Sequence, residues 1–235
     1  MSTNADRITT ISLDGNGTLW DFEQVARSSL GRTITDLRRL IPAAEALTVE
    51  TMTNIRRETV RDLRGTGLSL DQMRLESFKR TLQYIGHPDD ELADHLNALY
   101  LRHRFEDVQL FDDVLPTLDG LRGRFKLGLL SNDSGYPRQC GLDTRLQFVV
   151  LSQDYGIEKP DPGIFKIALE QAGCTERELL HIGDSLVNDV SGAKRAGVRS
   201  VWLNRRRATN DTEFRPDFEI ASLMELIEIC EKVAR

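Results

Sequence analysis

Five short runs, the first β-branched and the other four apolar, each about as long as a β-strand, constrain this chain more than any other feature of it. The first is Arg7-Ile8-Thr9-Thr10-Ile11-Ser12-Leu13, and the others fall at residues 125–130, 148–151, 179–182 and 200–203. Stretches with helical spacing alternate with them, at about 114–122, 163–172, 187–196 and 222–233. In 163–172, Ile164, Phe165, Ala168, Leu169 and Ala172 share one face, with Pro162 near the start and Gly173 just past the end, where helix boundaries favour them. Strand alternating with helix predicts an α/β fold, a Rossmann-like doubly wound parallel sheet.

Between the first run and the rest the period changes. Residues 22–105 carry helical patterns at 25–40, 43–63 and 70–85, and Leu92, Leu96, Leu99 and His103 mark one face of a fourth helix. Breaks are expected near Gly31, Pro42, Gly65-Thr66-Gly67 and Gly86-His87-Pro88. The predicted organisation is a core of residues 1–21 and 106–235 with a small helical bundle, residues 22–105, inserted after the first strand.

Composition excludes some functions. A formal charge of −6 argues against general nucleic-acid binding, which usually shows a basic surplus. No apolar run reaches the ~18 residues that span a bilayer, and the polar first ten residues do not read as a signal peptide. The expected location is cytoplasmic and the expected state a monomer or homodimer. Cys140, Cys174 and Cys230 have neither a disulfide nor a zinc spacing. His87, His95, His103 and His181 read as structural.

In wound sheets of this kind, ligands bind beyond the carboxyl ends of the strands. The first run is followed by Asp14, Asn16 and Thr18, and the second by Ser131 and Asn132. The third leads to Lys159-Pro160, and the fourth to Gly183-Asp184-Ser185 with Asp189 beyond. Three aspartates gathered on one rim repel one another, and their hard oxygens suit Mg²⁺, which neutralises phosphate charge and orients it for attack. An aspartate can itself be the nucleophile. Lys159 would offset charge on Asp14 and on phosphate, while Thr18, Ser131 and Asn132 can donate hydrogen bonds to phosphate oxygens. Glycines at 15 and 17 permit a tight turn. These residues point to a Mg²⁺-dependent phosphoryl-transfer site.

Four segments carry a family resemblance. Asp14-Gly15-Asn16-Gly17-Thr18-Leu19-Trp20-Asp21, Leu130-Ser131-Asn132, Glu158-Lys159-Pro160-Asp161-Pro162 and Gly183-Asp184-Ser185-Leu186-Val187-Asn188-Asp189 resemble the four motifs of the haloacid dehalogenase superfamily. The helical insertion resembles the cap of its first subfamily. The resemblance implies Asp14 as nucleophile, Ser131 and Lys159 as phosphate binders, and a cap whose opening and closing gates access. It implies Mg²⁺ held by Asp14, Asp184 and the backbone carbonyl of Asn16, with Ser185 and Asp189 supporting.

One residue departs from the pattern. The family's phosphatases carry an aspartate, the general acid/base, two residues after the nucleophile, and here that position is Asn16. An amide neither protonates a leaving alkoxide nor takes a proton from water, and such catalysis is worth about 10²–10⁴ in rate. A slow phosphatase, a trapped or non-catalytic relative binding a phosphorylated ligand or protein partner, and a site in which Asn16-Gly17 deamidates all remain open. The family's dehalogenases lack the acidic pair seen here at Asp184 and Asp189. Its phosphonate-cleaving members need a cap lysine, and the one candidate, Lys79, reads as a surface residue. The arginines at 56, 57, 61 and 64, and Arg205-Arg206-Arg207, read as solvated.

Overall fold

The computed structural model describes residues 7–132 and 137–233, so the ends of the expected core, 1–6 and 234–235, lie outside the described residues. The chain divides into two compact units, Met1–Asp21 with Gln109–Arg235, and Phe22–Val108.

The first unit is built on a six-stranded, all-parallel sheet: β1 (Thr10–Leu13), β2 (Lys126–Ser131), β3 (Phe148–Leu151), β4 (Leu179–Gly183), β5 (Arg199–Leu203) and β6 (Phe218–Ile220), in the order β3-β2-β1-β4-β5-β6. Every residue of β1 and β4 is buried, as expected of central strands covered on both faces. The helices are α5 (Val114–Leu121), α6 (Ser152–Tyr155), α7 (Pro162–Ala172), α8 (Ser191–Arg195) and α9 (Glu225–Val233). The α7 face picked out by periodicity packs on Leu130, Phe148, Val150 and Leu179. Asp161 caps α7 by accepting from the Gly163 N–H, and Gly173 closes it in the left-handed conformation. The strand order reverses at β1 and β4, and Asp14 and Asp184 follow those two strands.

β6 was not expected, since its three residues are too short a run to stand out from the polar loop before it. The expected helix 187–196 is a π-helical turn, Leu186–Val190, followed by the short α8.

The second unit contains α1 (Phe22–Leu40), α2 (Val49–Leu63), α3 (Leu70–Tyr84) and α4 (Asp90–Asp107). Leu30, Ile34, Leu37, Phe78, Leu82, Leu96 and Tyr100 form its core. Side chains cap three of the helices: Thr48 for α2, Ser69 in a capping box with Gln72 for α3, and Asp89 for α4. Two expectations need correction. Gly31 does not break a helix but lies inside α1, since one glycine costs a helix only about 1 kcal/mol and buried neighbours on both sides outweigh it. The stretch 43–63 is not one helix: a 3₁₀ turn, Pro42–Ala46, precedes α2. No helix among the described residues is long and apolar enough to cross a membrane.

Candidate active site

The loop after β1 is shaped by close contacts. The N–H groups of Thr18, Leu19 and Trp20 all turn back to the Gly15 carbonyl, and Gly17 N–H donates to the Trp20 carbonyl. A Cβ on Gly15 would lie 2.5 Å from the Trp20 ring, and one on Gly17, where φ is +80°, 2.3 Å from Asp184 Oδ2. A side chain at either position would force the Trp20 ring or the Asp184 carboxylate out of place. The Trp20 indole N–H donates to Asn16 Oδ1 at 2.6 Å, and because an indole only donates, it fixes which way the amide faces.

Lys159 is the centre of the charge arrangement. Its Nζ donates to Asp14 Oδ1 at 2.6 Å, Asp189 Oδ1 at 2.7 Å and the Leu130 carbonyl at 2.8 Å, which uses all three donors of an ammonium. The Lys159 backbone is gripped by Asn132, whose Oδ1 accepts its N–H at 2.7 Å and whose Nδ2 donates to its carbonyl at 2.8 Å. The Lys159–Pro160 peptide is cis.

After β4, Ser185 Oγ accepts the Asn188 N–H and Asp189 Oδ2 accepts the Ser185 N–H, at 3.1 and 3.0 Å. The Trp202 indole donates to the Asp184 carbonyl at 2.9 Å. One carboxylate oxygen from each of Asp14, Asp184 and Asp189 lies within 4.8 Å of the others.

A single pocket gathers Asp14, Asn16, Ser131, Asn132, Lys159, Asp184, Ser185 and Asp189, together with Asn188. Thr18 is the expected site residue the structure does not bring there. The turn around the Gly15 carbonyl carries it inward, its side chain is fully buried, and Thr18 Oγ1 has no hydrogen-bond partner. Asn132 lines the pocket, with its amide oxygen and one amide N–H engaged with the Lys159 backbone. His181, expected to be merely structural, reaches Asp189 Oδ1 through Nε2 at 3.1 Å. The clue in the sequence was a lone titratable residue inside an otherwise apolar strand run. Arg205 is not solvated: it makes a two-pronged pair with Asp113 at 2.7 and 2.9 Å, donates to the Thr18 carbonyl at 2.9 Å and lies 4.1 Å over the Phe111 ring. Lys79 pairs with Asp90 at 3.2 Å, and Arg57, Arg61 and Arg64 are exposed.

The three carboxylates titrate differently. Burial pushes Asp14 up to about 7, with Lys159 opposing and the other two aspartates adding repulsion. Asp184 is open to solvent at the rim but crowded by protein behind it, which together with Asp189 raises it to about 6. Burial would also raise Asp189, but Lys159 and His181 hold it well below the usual carboxylate range. Three carboxylates facing one ammonium leave an excess of negative charge, which a hard divalent cation with oxygen ligands would relieve. The donor set therefore fits Mg²⁺.

Residues 8–197 match the haloacid dehalogenase-like hydrolase family. The glyceraldehyde 3-phosphate phosphatase of Methanopyrus kandleri is 32% identical over 170 residues, covering 67% of this chain and 72% of its own. A 2-haloacid dehalogenase from Pseudomonas syringae pv. Tomato superposes with a TM-score of 0.79 at 30% identity, covering 96% of this chain and 99% of that one. YfnB of Bacillus subtilis, in a magnesium-bound crystal structure, gives 0.80 at 26% identity, covering 95% and 99%. With that match, the fold and the rim of aspartates are those of a hydrolase of the α/β type. The chain belongs to the haloacid dehalogenase-like hydrolases.

Proposed function

We propose that this chain is a Mg²⁺-dependent phosphomonoester hydrolase of small phosphorylated metabolites, working through an aspartyl-phosphate on Asp14 and slowed by Asn16. The observation that carries this reading is the placement of Asp14 against Lys159 with two further carboxylates alongside. Asp14 would attack phosphorus as the P–O bond to the alcohol breaks. Water would then attack the phosphoaspartate, releasing inorganic phosphate and restoring the carboxylate. Lys159 holds Asp14 in place and offsets negative charge, and Ser131 offers a hydroxyl to a phosphoryl oxygen. Asp14, Asp184 and the carbonyl of Asn16 would hold the Mg²⁺, with Ser185 and Asp189 ordering the loop behind them. Bound there, the ion supplies charge neutralisation for the phosphoryl group. With an amide at position 16, the leaving alkoxide must take its proton from solvent.

The phosphatase relative in Methanopyrus supports a phosphoester substrate. The dehalogenase neighbour favours a haloacid, but the acidic cluster, which needs a cation to balance it, weighs toward the phosphatase. The Lys79–Asp90 pair likewise gives no support to phosphonate cleavage.

The test is a panel of phosphorylated metabolites with Mg²⁺. Turnover abolished by Asp14→Ala and by EDTA is the expected result, and turnover indifferent to both would overturn the reading. Asn16 itself favours a second reading, a relative that binds a phosphorylated ligand without turning it over. If both the protein and Asn16→Asp bind ligand and neither hydrolyses it, that second reading replaces the first.

A further inference from the structure

A buried chain of side chains runs from the middle of the sheet to Asp14. Ser12 in β1 and His181 in β4 are register partners, and both are fully buried. Ser12 Oγ lies 2.8 Å from His181 Nδ1, and His181 Nε2 lies 3.1 Å from Asp189 Oδ1. The same Asp189 oxygen accepts from Lys159, which in turn holds Asp14.

We propose that His181 is a positioning residue: a neutral imidazole that donates from Nε2 and is braced at Nδ1 by Ser12, so that it fixes Asp189 where Asp189 can hold Lys159 against Asp14. An ionised carboxylate only accepts hydrogen bonds, so Nε2 must carry the proton it shares with Asp189. A neutral ring then has Nδ1 free to accept, and the Ser12 hydroxyl is the donor. The neutral form is favoured by complete burial and by the nearby Lys159 charge, against the pull of Asp189 and of the Ser12 backbone. The Phe165 ring meets the imidazole edge-on, with centroids 5.1 Å apart at 89°, and limits rotation of the ring. A histidine serving only to fill the core would satisfy its nitrogens locally. Here Nε2 goes to the carboxylate that holds Lys159.

The effect on catalysis rests on the phosphatase reading, whereas the tautomer does not. Long-range ¹H–¹⁵N spectra of ¹⁵N-histidine-labelled protein at pH 7.5 should show His181 neutral with the proton on Nε2. Turnover of p-nitrophenyl phosphate with Mg²⁺ should fall in His181→Leu by about 10–100-fold in kcat, the usual cost of losing a group that orients a metal-site residue. KM should change little. His181→Gln, whose amide N–H can reach Asp189, should recover most of the loss. An imidazolium, an Nδ1–H tautomer, or a folded His181→Leu with unchanged kcat would overturn the proposal. If His181→Leu does not fold, Ser12→Ala decides: a fall in kcat with KM kept supports the proposal, and an unchanged kcat overturns it. If the unmodified protein hydrolyses no phosphoester, the functional reading fails and the spectra alone decide the placement of His181.

Discussion

At position 16, what matters is which group faces the substrate and which faces Trp20. The indole N–H holds the amide oxygen at 2.6 Å, and an aspartate there would accept the same bond with one oxygen and keep the other for proton transfer. Asn16→Asp is therefore expected to raise kcat on p-nitrophenyl phosphate by about 10²–10⁴, read by steady-state kinetics with Mg²⁺. A change of less than twofold would mean that the missing acid does not limit the rate. Asn-Gly is also a pair prone to deamidation, a reaction in which the following backbone nitrogen attacks the amide carbon. Here the Gly17 N–H is engaged with the Trp20 carbonyl at 2.8 Å, and the amide is held by the indole of the same tryptophan. Folded protein aged at alkaline pH is expected to keep Asn16 intact. Peptide mass spectrometry checks this, since conversion would add one mass unit. The aspartates and Lys159 were legible in the sequence because chemistry restricts which side chains can do such work. The burial of Thr18 was not, because it depends on how one turn folds back on a carbonyl.

Among elements, the most consequential junction joins the end of β2 to the loop carrying Lys159. Asn132 makes two hydrogen bonds to that lysine's backbone. At about 0.5–1.5 kcal/mol each, Asn132→Ala should destabilise the protein by about 1–3 kcal/mol, measured by urea unfolding, and lower kcat as Lys159 loosens. Further back along β2, a Cβ on Gly128 would lie 2.2 Å from the Phe148 ring. Gly128→Ala forces that ring aside and should cost about 1–3 kcal/mol, seen as a lower urea midpoint with the m-value unchanged. The helices were readable from the sequence where a periodic apolar face met a cap, as in α3, α4 and α7. Reading failed where tertiary contact overrode a local signal, at Gly31, or where the element was too short to have a period, at β6.

For the molecule as a whole, the acidic rim ties stability to pH. Asp14 and Asp184 have pKa values near 7 and 6 in the fold against about 4 when unfolded. At these two groups the folded protein binds more protons than the unfolded chain between pH 4 and pH 7, which lowers stability as pH rises, while His181, held below its ordinary value of 6.5, opposes them at and below that pH. Asp189, shifted the other way, contributes stability that is fully present above pH 4 and is lost only in stronger acid. In EDTA the melting temperature should fall from pH 6.5 to pH 8, where the two aspartates outweigh His181. Adding Mg²⁺ should restore it, more at pH 8 than at pH 5, because protonated carboxylates compete with the ion. At a hundred times its Kd, a bound ion is worth about 2.7 kcal/mol, which differential scanning fluorimetry detects readily. Equal melting temperatures with and without Mg²⁺ at pH 8 would count against the metal site. What the sequence determined by itself was the alternation that makes a parallel sheet, and the order in which chemically distinctive residues follow its strands. Both are local properties, carried by period and residue type. Tertiary structure alone decided which of those residues meet. Lys159 lies 145 positions from Asp14 in the chain and 2.6 Å from it in the fold, and His181 joins them only because β4 lies beside β1. Asp14 thus acquires its partners through the register of strands distant in sequence, a pairing fixed by burial and hydrogen bonding across the sheet rather than by any signal along the chain.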